Sequence, residues 1–357
     1  MIYFDNSATT AVYPAVLETY DKVTKDIWGN PSSLHKMGDR SHQLLEASRK
    51  QIASLLNVKP HEIFFTSSAE HAAVLNSVRA LEDLGFRVTV LPVNKNGQVN
   101  PDDLKAALDK ETILVSIMGV NNEIGTIQPI KEISKVLEDY PNVTFHVDNV
   151  QALGKDIWDE VFTDRVDLMS LSAHKFHAPR GVGILYKKEG KMIKPLIDGG
   201  GQEKGLRSST ENLPAIAATA KAMRLYLSDE KKNAEKELAV KKKIISYLDG
   251  KPGIHIFSPI NDKFIPSILC FSLEGIRGET LVHTLESKDI YVSTTSACSS
   301  RSGVESGTLN AMKVEDDLAT GAIRLSFDPS NTIEEAEQFI SVFDKIYKHF
   351  AEINHLK

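Results

Sequence analysis

Two runs, VTFHVDNVQ (143–151) and VDLMSLSAHKFHAP (166–179), share one grammar: an apolar, β-rich segment halts at residues able to do chemistry. The first ends on Asp148, and the second on Ser172, His174 and Lys175. Working outward, further short apolar runs stand upstream at EIFF (62–65), RVTVLPV (87–93) and TILVSIMGV (112–120), and downstream at GVGILYKK (181–188). Helical patterns separate them. Residues 41–56 set Leu44, Leu45, Ile52, Leu55 and Leu56 near one face, and similar patterns cover Ala72–Leu84, NPDDLKAALD (100–109) and Lys131–Glu138. Strand–helix alternation of this kind specifies an α/β fold, a mostly parallel sheet covered by helices. Ligands in such sheets bind at the carboxyl ends of the strands, so the polar residues there are the first candidates for a site.

From Thr210 to Leu248 the pattern is helical and charged, and EKKNAEKELAVKKK (230–243) reads as a solvated face. Beyond Gly253 the style becomes α+β. Strands PSILCFSLE and AIRLSF alternate with helices, the last of which opens with Thr332 and Glu335 in a capping-box arrangement. The expected organisation is a large domain over 14–252 and a smaller α+β domain built from 1–13 and 253–357.

Composition narrows the classes. A chain of 357 residues with net charge −6 offers no general basic face for nucleic acid. No run is long and apolar enough to span a bilayer, and MIYFDNSATT lacks the pattern of a secretory signal. The two cysteines, Cys270 and Cys298, have no paired spacing, which argues against a disulfide framework or a metal site and for a reducing cytoplasm. Cys270 sits in the apolar run SILCF and reads as a buried small hydrophobe, whereas Cys298 lies among small polar residues in TTSACSSRSGVESG.

Five segments in order, DNSATT (5–10), NNEIG (121–125), HVDNVQ (146–151), SAHKFHAP (172–179) and SACSS (296–300), carry a resemblance that extends to GNPSSLH (29–35) and GGGQEKGLRSSTEN (199–212). The set resembles the cysteine desulfurase family, pyridoxal-phosphate enzymes of the class V aminotransferase fold, in its group with a long catalytic loop. The resemblance implies a fold-type I transferase in which Lys175 carries the cofactor as a Schiff base. Asp148 would pair with the pyridinium nitrogen, Gln151 and Asn122 would bond the ring hydroxyl oxygen, and His71 would stack on the ring and shuttle protons. Ser172 and His174 would contact the phosphate, with Thr210 reaching it from the partner subunit of a homodimer. Arg324 and Asn122 would hold the substrate carboxylate, with Asn6 and His35 at the substrate entrance. Cys298 would take sulfur from L-cysteine as a persulfide and pass it to an iron–sulfur scaffold or a tRNA-thiolating enzyme. A related lyase or aminotransferase, or a catalytically silent paralogue in sulfur trafficking, are the alternatives.

The chain departs from the family pattern at TSSAE (66–70), where strand EIFF runs almost directly into Glu70–His71. Roughly 20–30 residues of the pattern, about one βα unit, are absent there. In the family that turn cradles the cofactor phosphate with backbone N–H groups at a helix start, so weak cofactor binding or none is the corresponding alternative. Smaller departures are Ser209, Asn149 and FDPSNT (327–332).

Overall fold

Short apolar runs become strands only where a neighbour pairs with them, and most of those read from the sequence do. The computed structural model describes residues 1–66, 81–195, 197–295 and 307–353. Strand β1 (Ile2–Tyr3) comes first, followed by β2 (Ile63–Thr66), β3 (Leu114–Met118), β4 (Thr144–Asp148), β5 (Leu168–Ser172) and β6 (Gly183–Lys187). The last five form one sheet in the order β2-β6-β5-β4-β3. Strands β2 to β5 run the same way, and β6 alone is antiparallel to its neighbours.

Run RVTVLPV is a correction. Residues 86–92 form no strand; Val93 makes only an isolated bridge to Val99, and Val90 is 79% exposed. The alternation is correct for a strand, but among the described residues β3 is the sheet's edge and pairs only with β4, so nothing completes a ladder on residues 86–92.

The second sheet is antiparallel, in the order β10 (Ser293–Thr294), β11 (Ala322–Ser326), β8 (Ile268–Leu273) and β7 (Ile254–Ile256). Strand β9 (Ile290–Tyr291) pairs in parallel with β1. Ile323, Leu325 and Phe327 turn into a core with Phe4, Leu269, Phe271, Phe339 and Phe343. The helix Ile333–Ile353 opens as expected: Glu335 N–H donates to Thr332 Oγ1 at 3.2 Å and Thr332 N–H to Glu335 Oε2 at 3.1 Å.

A larger core lies between the first sheet and its helices, with Phe145, Val147, Met169 and Leu171 at its centre. The second core begins upstream of the expected boundary at 252/253, because Val240, Ile244 and Leu248 of the helix Glu230–Leu248 belong to it. This helix also corrects the reading of EKKNAEKELAVKKK as wholly solvated. Glu237 and Lys241, one turn apart and so on one face, are both buried. Each has an internal partner: Lys155 Nζ lies 2.7 Å from Glu237 Oε1, and Lys241 Nζ donates to Ile265 O at 3.1 Å. Charged residues of a helix face show no sequence sign of such partners. No described helix is long and apolar enough to cross a membrane.

Candidate active site

The carboxyl ends of β4 and β5 deliver Asp148 and Lys175 side by side, Lys175 closing a single 3₁₀ turn after Ser172. Asp148 is only 8% exposed, and its Oδ1 accepts from Val150 N–H at 3.0 Å. Burial raises its pKa above the ordinary value, while the Val150 bond and the charge of Lys175 pull the other way. A carboxyl group in that condition gains from any cation brought against it. Two residues back on the same face, His146 bridges Ser116 Oγ at 2.7 Å and Ser170 Oγ at 3.0 Å. Burial lowers its pKa to about 4, so the floor beside Asp148 is polar yet uncharged at neutral pH.

Lys175 Nζ donates to the carbonyls of Ser7 at 2.6 Å and Ala8 at 2.8 Å. Gln151 Nε2 reaches the same Ser7 carbonyl at 3.0 Å, and His174 Nδ1 lies 3.2 Å from Thr9 Oγ1. Segment 5–10 thus runs over the strand ends, and it also touches the arginine. Arg324 projects from β11 away from the Leu325 core. Its Nη2 donates to Asp5 Oδ1 at 2.9 Å and its Nη1 to Asn122 O at 3.0 Å. Among the described residues its buried Nε has no hydrogen-bond partner. A guanidinium with an unused donor in a dry setting can take one more acceptor, and a carboxylate suits its planar fork.

The other expected residues fall in varied places. Ser172 is buried at the end of β5. Asn122 joins the cluster through its backbone carbonyl. Asn6 Nδ2 faces Tyr3 O, Ser326 O and Asn331 Oδ1 at 3.1–3.3 Å, so its amide ties the N-terminal segment to β11. His35 is an N-cap, its Nδ1 accepting from Gly38 N–H at 3.2 Å. Thr210 is exposed beyond a turn anchored by Arg49 and Glu203, two bonds of 2.8 Å each. His71 and Cys298 lie outside the described residues.

Several groups here gave no sequence signal: the Ser7 and Ala8 carbonyls, Asp5 opposite Arg324, and His146. Main-chain oxygens carry no residue signature, and a lone carboxylate such as Asp5 is not distinctive. The alternation HVD did place His146 and Asp148 on one face.

The family model described as aminotransferase class-V matches residues 2–69 and 67–339. The chain belongs to the cysteine desulfurases of that family. It is 66% identical to the "NifS/IcsS protein homolog" of Lactobacillus delbrueckii, covering all of both chains. It is 38% identical to "Cysteine desulfurase IscS" of Clostridium botulinum strain Hall, over 99% of this chain and 96% of that one. A solved "NIFS-like protein" superposes with a TM-score of 0.89 at 37% identity, over 98% of this chain and 99% of that one. The two matched runs of the family model meet at residues 67–69, where the sequence pattern is short. The alignment to the L. delbrueckii protein spans 383 positions against 357 residues here, a difference of 26.

The family is pyridoxal-phosphate dependent, and the donor set suits that group at its ring end. An amine able to meet an aldehyde stands beside a buried carboxyl group, at the strand ends where α/β sheets bind ligands. Ser172, His174 and Thr210 are the described candidates for its phosphate end.

Proposed function

We propose that this cysteine desulfurase converts L-cysteine to alanine with Lys175, Asp148 and Arg324 at its centre, and that Cys298 accepts the sulfur. The observation that carries the reading is the strap of residues 5–8, which touches Lys175 at one end and Arg324 at the other. An amine and a carboxylate-binding fork are thereby tied to the two ends of one short segment.

The cofactor, when bound, supplies an aldehyde for the lysine amine and a ring that stores an electron pair. Asp148 would keep the proton on the ring nitrogen, and Gln151 and Asn122 would bond the ring oxygen. His71 would serve the ring as stacking partner and proton carrier. Ser172 and His174 would hold the phosphate, Thr210 doing so from the partner subunit of a homodimer. Arg324 grips the substrate carboxylate in exchange for part of its contact with Asp5, with Asn6 and His35 toward the entrance. Lys175, once its amine is free, moves a proton at the substrate α-carbon. The Cys298 thiolate attacks the substrate sulfur, the C–S bond breaks, and a persulfide remains on Cys298 as alanine leaves. The persulfide then passes to an acceptor protein, an iron–sulfur scaffold or a tRNA-thiolating enzyme, in the cytoplasm.

The test uses the chain incubated with pyridoxal phosphate and L-cysteine, with alanine counted and the Cys298 peptide weighed for an added sulfur. Alanine formation and a persulfide lost together in Cys298→Ala are expected. Unchanged alanine production in that variant moves the chain to the lyase reading.

A further inference from the structure

His177 stands two residues after Lys175, and none of the roles above uses it. It is 3% exposed and adopts φ +65°, the left-handed region that a side-chain-bearing residue enters only at a cost in strain. The surroundings hold it there. Its N–H donates to Thr10 Oγ1 at 2.8 Å, and its carbonyl accepts from Tyr13 N–H at 3.3 Å.

Both ring nitrogens face acceptors. Nδ1 lies 2.7 Å from the carbonyl oxygen of Ala11, which can only accept. Nε2 lies 2.7 Å from Asp328 Oδ2. Burial pushes the Asp328 pKa up, but the His177 bond and the Ser330 hydroxyl and N–H outweigh it and bring it to about 2, so this oxygen also accepts. Two acceptors require two ring protons, hence an imidazolium. The ring lies parallel to that of Tyr13, 6° between planes and 4.0 Å between centroids, an arrangement that favours a cation. The remaining titratable neighbours are Tyr226, 5.5 Å away, and the Lys155–Glu237 pair, which largely cancels its own charge.

These contacts join three strips of chain. Ala11 follows three residues after Ala8, whose carbonyl holds Lys175 Nζ; Asp328 follows four residues after Arg324. We infer that His177, carrying both ring protons, is a positioning residue that holds the Lys175 turn, the 5–11 segment and the Arg324 strand in register. Loss of either ring contact opens one of the two ring ties. The inference rests on the reading of Lys175 and Arg324 given above.

The first test is a long-range ¹H–¹⁵N spectrum of histidine-labelled protein at pH 7, which needs no turnover. Two ring N–H signals are expected for His177, assigned by their loss in His177→Asn; a single ring N–H overturns the inference. The second test is kinetic. His177→Phe keeps the ring over Tyr13 and loses both bonds, and should raise KM for cysteine about tenfold. His177→Asn tolerates the left-handed backbone and keeps one amide donor, and should raise KM only about threefold. If His177→Phe fails to fold, Asp328→Asn carries the same test, with one ring N–H lost at pH 7 and KM raised severalfold. KM unchanged within about twofold in His177→Phe or Asp328→Asn, while Arg324→Ala raises it, sinks the register role alone. Arg324→Ala without effect on KM sinks the underlying reading and the inference together.

Discussion

Lys175 and Lys155 both sit close to strand ends of the same sheet, and the molecule treats them in opposite ways. Lys155 Nζ is bonded directly to the Glu237 carboxylate. Burial works against its charge, yet Glu237 and Tyr226 outweigh burial and hold its pKa above the ordinary value. That amine is a locked cation. Among the described residues, Lys175 Nζ instead hydrogen-bonds to two neutral carbonyls, and the nearby Asp148 acts on it through space. Carbonyl contacts can be given up without stranding a buried charge, whereas a carboxylate contact cannot. A lysine that must exchange its bonds for a ligand is therefore served by carbonyls, and one that must hold two lobes together by a carboxylate.

Substitution of either lysine's surroundings should expose that difference. The largest effect is expected from Lys175→Ala, which should lower alanine formation from cysteine by at least ~10³-fold with an urea midpoint close to the parent's. The pattern reverses for Glu237→Gln, which strands the Lys155 charge. It should cost ~3–5 kcal/mol of stability in denaturant titration while the folded fraction keeps its turnover. Equal activity losses in the two variants would erase the contrast. Asp148→Asn should reduce turnover by about 10²-fold with stability unchanged or improved, because a neutral amide replaces a carboxyl group that burial already penalises.

The most gradual effect, read as a slope against pH, belongs to a third buried amine. Burial lowers the Lys241 pKa to about 7. The unfolded chain therefore holds this proton more tightly than the folded one, and stability should rise with pH between about 7 and the ordinary lysine value, by at most ~1.4 kcal/mol per pH unit. Lys241→Met should flatten the pH profile of the denaturant midpoint over that window; an unchanged slope would assign it to other groups.

Much of this was legible in the sequence because the first sheet repeats a simple rule. Apolar runs such as TFHVD and LMSLS end in polar residues, and that pattern made the strand ends the first candidates for a site, while the resemblance singled out Asp148 and Lys175. The alternation in AIRLSF likewise set Arg324 opposite the Leu325 core. The errors have a common physical origin in pairing. RVTVLPV had the alternation of a strand but no neighbour, and a ladder needs two partners. Glu237 and Lys241 lay in a run that looked solvated, and only the distant Lys155 and Ile265 make their burial tolerable. His177 was passed over for the same reason, since its partners Ala11 and Asp328 are 166 and 151 residues away.

The strap that holds Lys175 is made long before the strands it pairs with. Ile2 and Tyr3 pair with Ile290 and Tyr291, and Asp5 bridges to Ser326. On a ribosome, residues 2–11 must therefore wait until Ser326 has emerged before they find their places. The first sheet can close around its own core long before then, since its strands end at Lys187. Contacts of such long range are slow to form and expose the chain meanwhile. The folding intermediate to expect is thus a finished first sheet with an unguarded lysine, and maturation of the site waits for the second sheet.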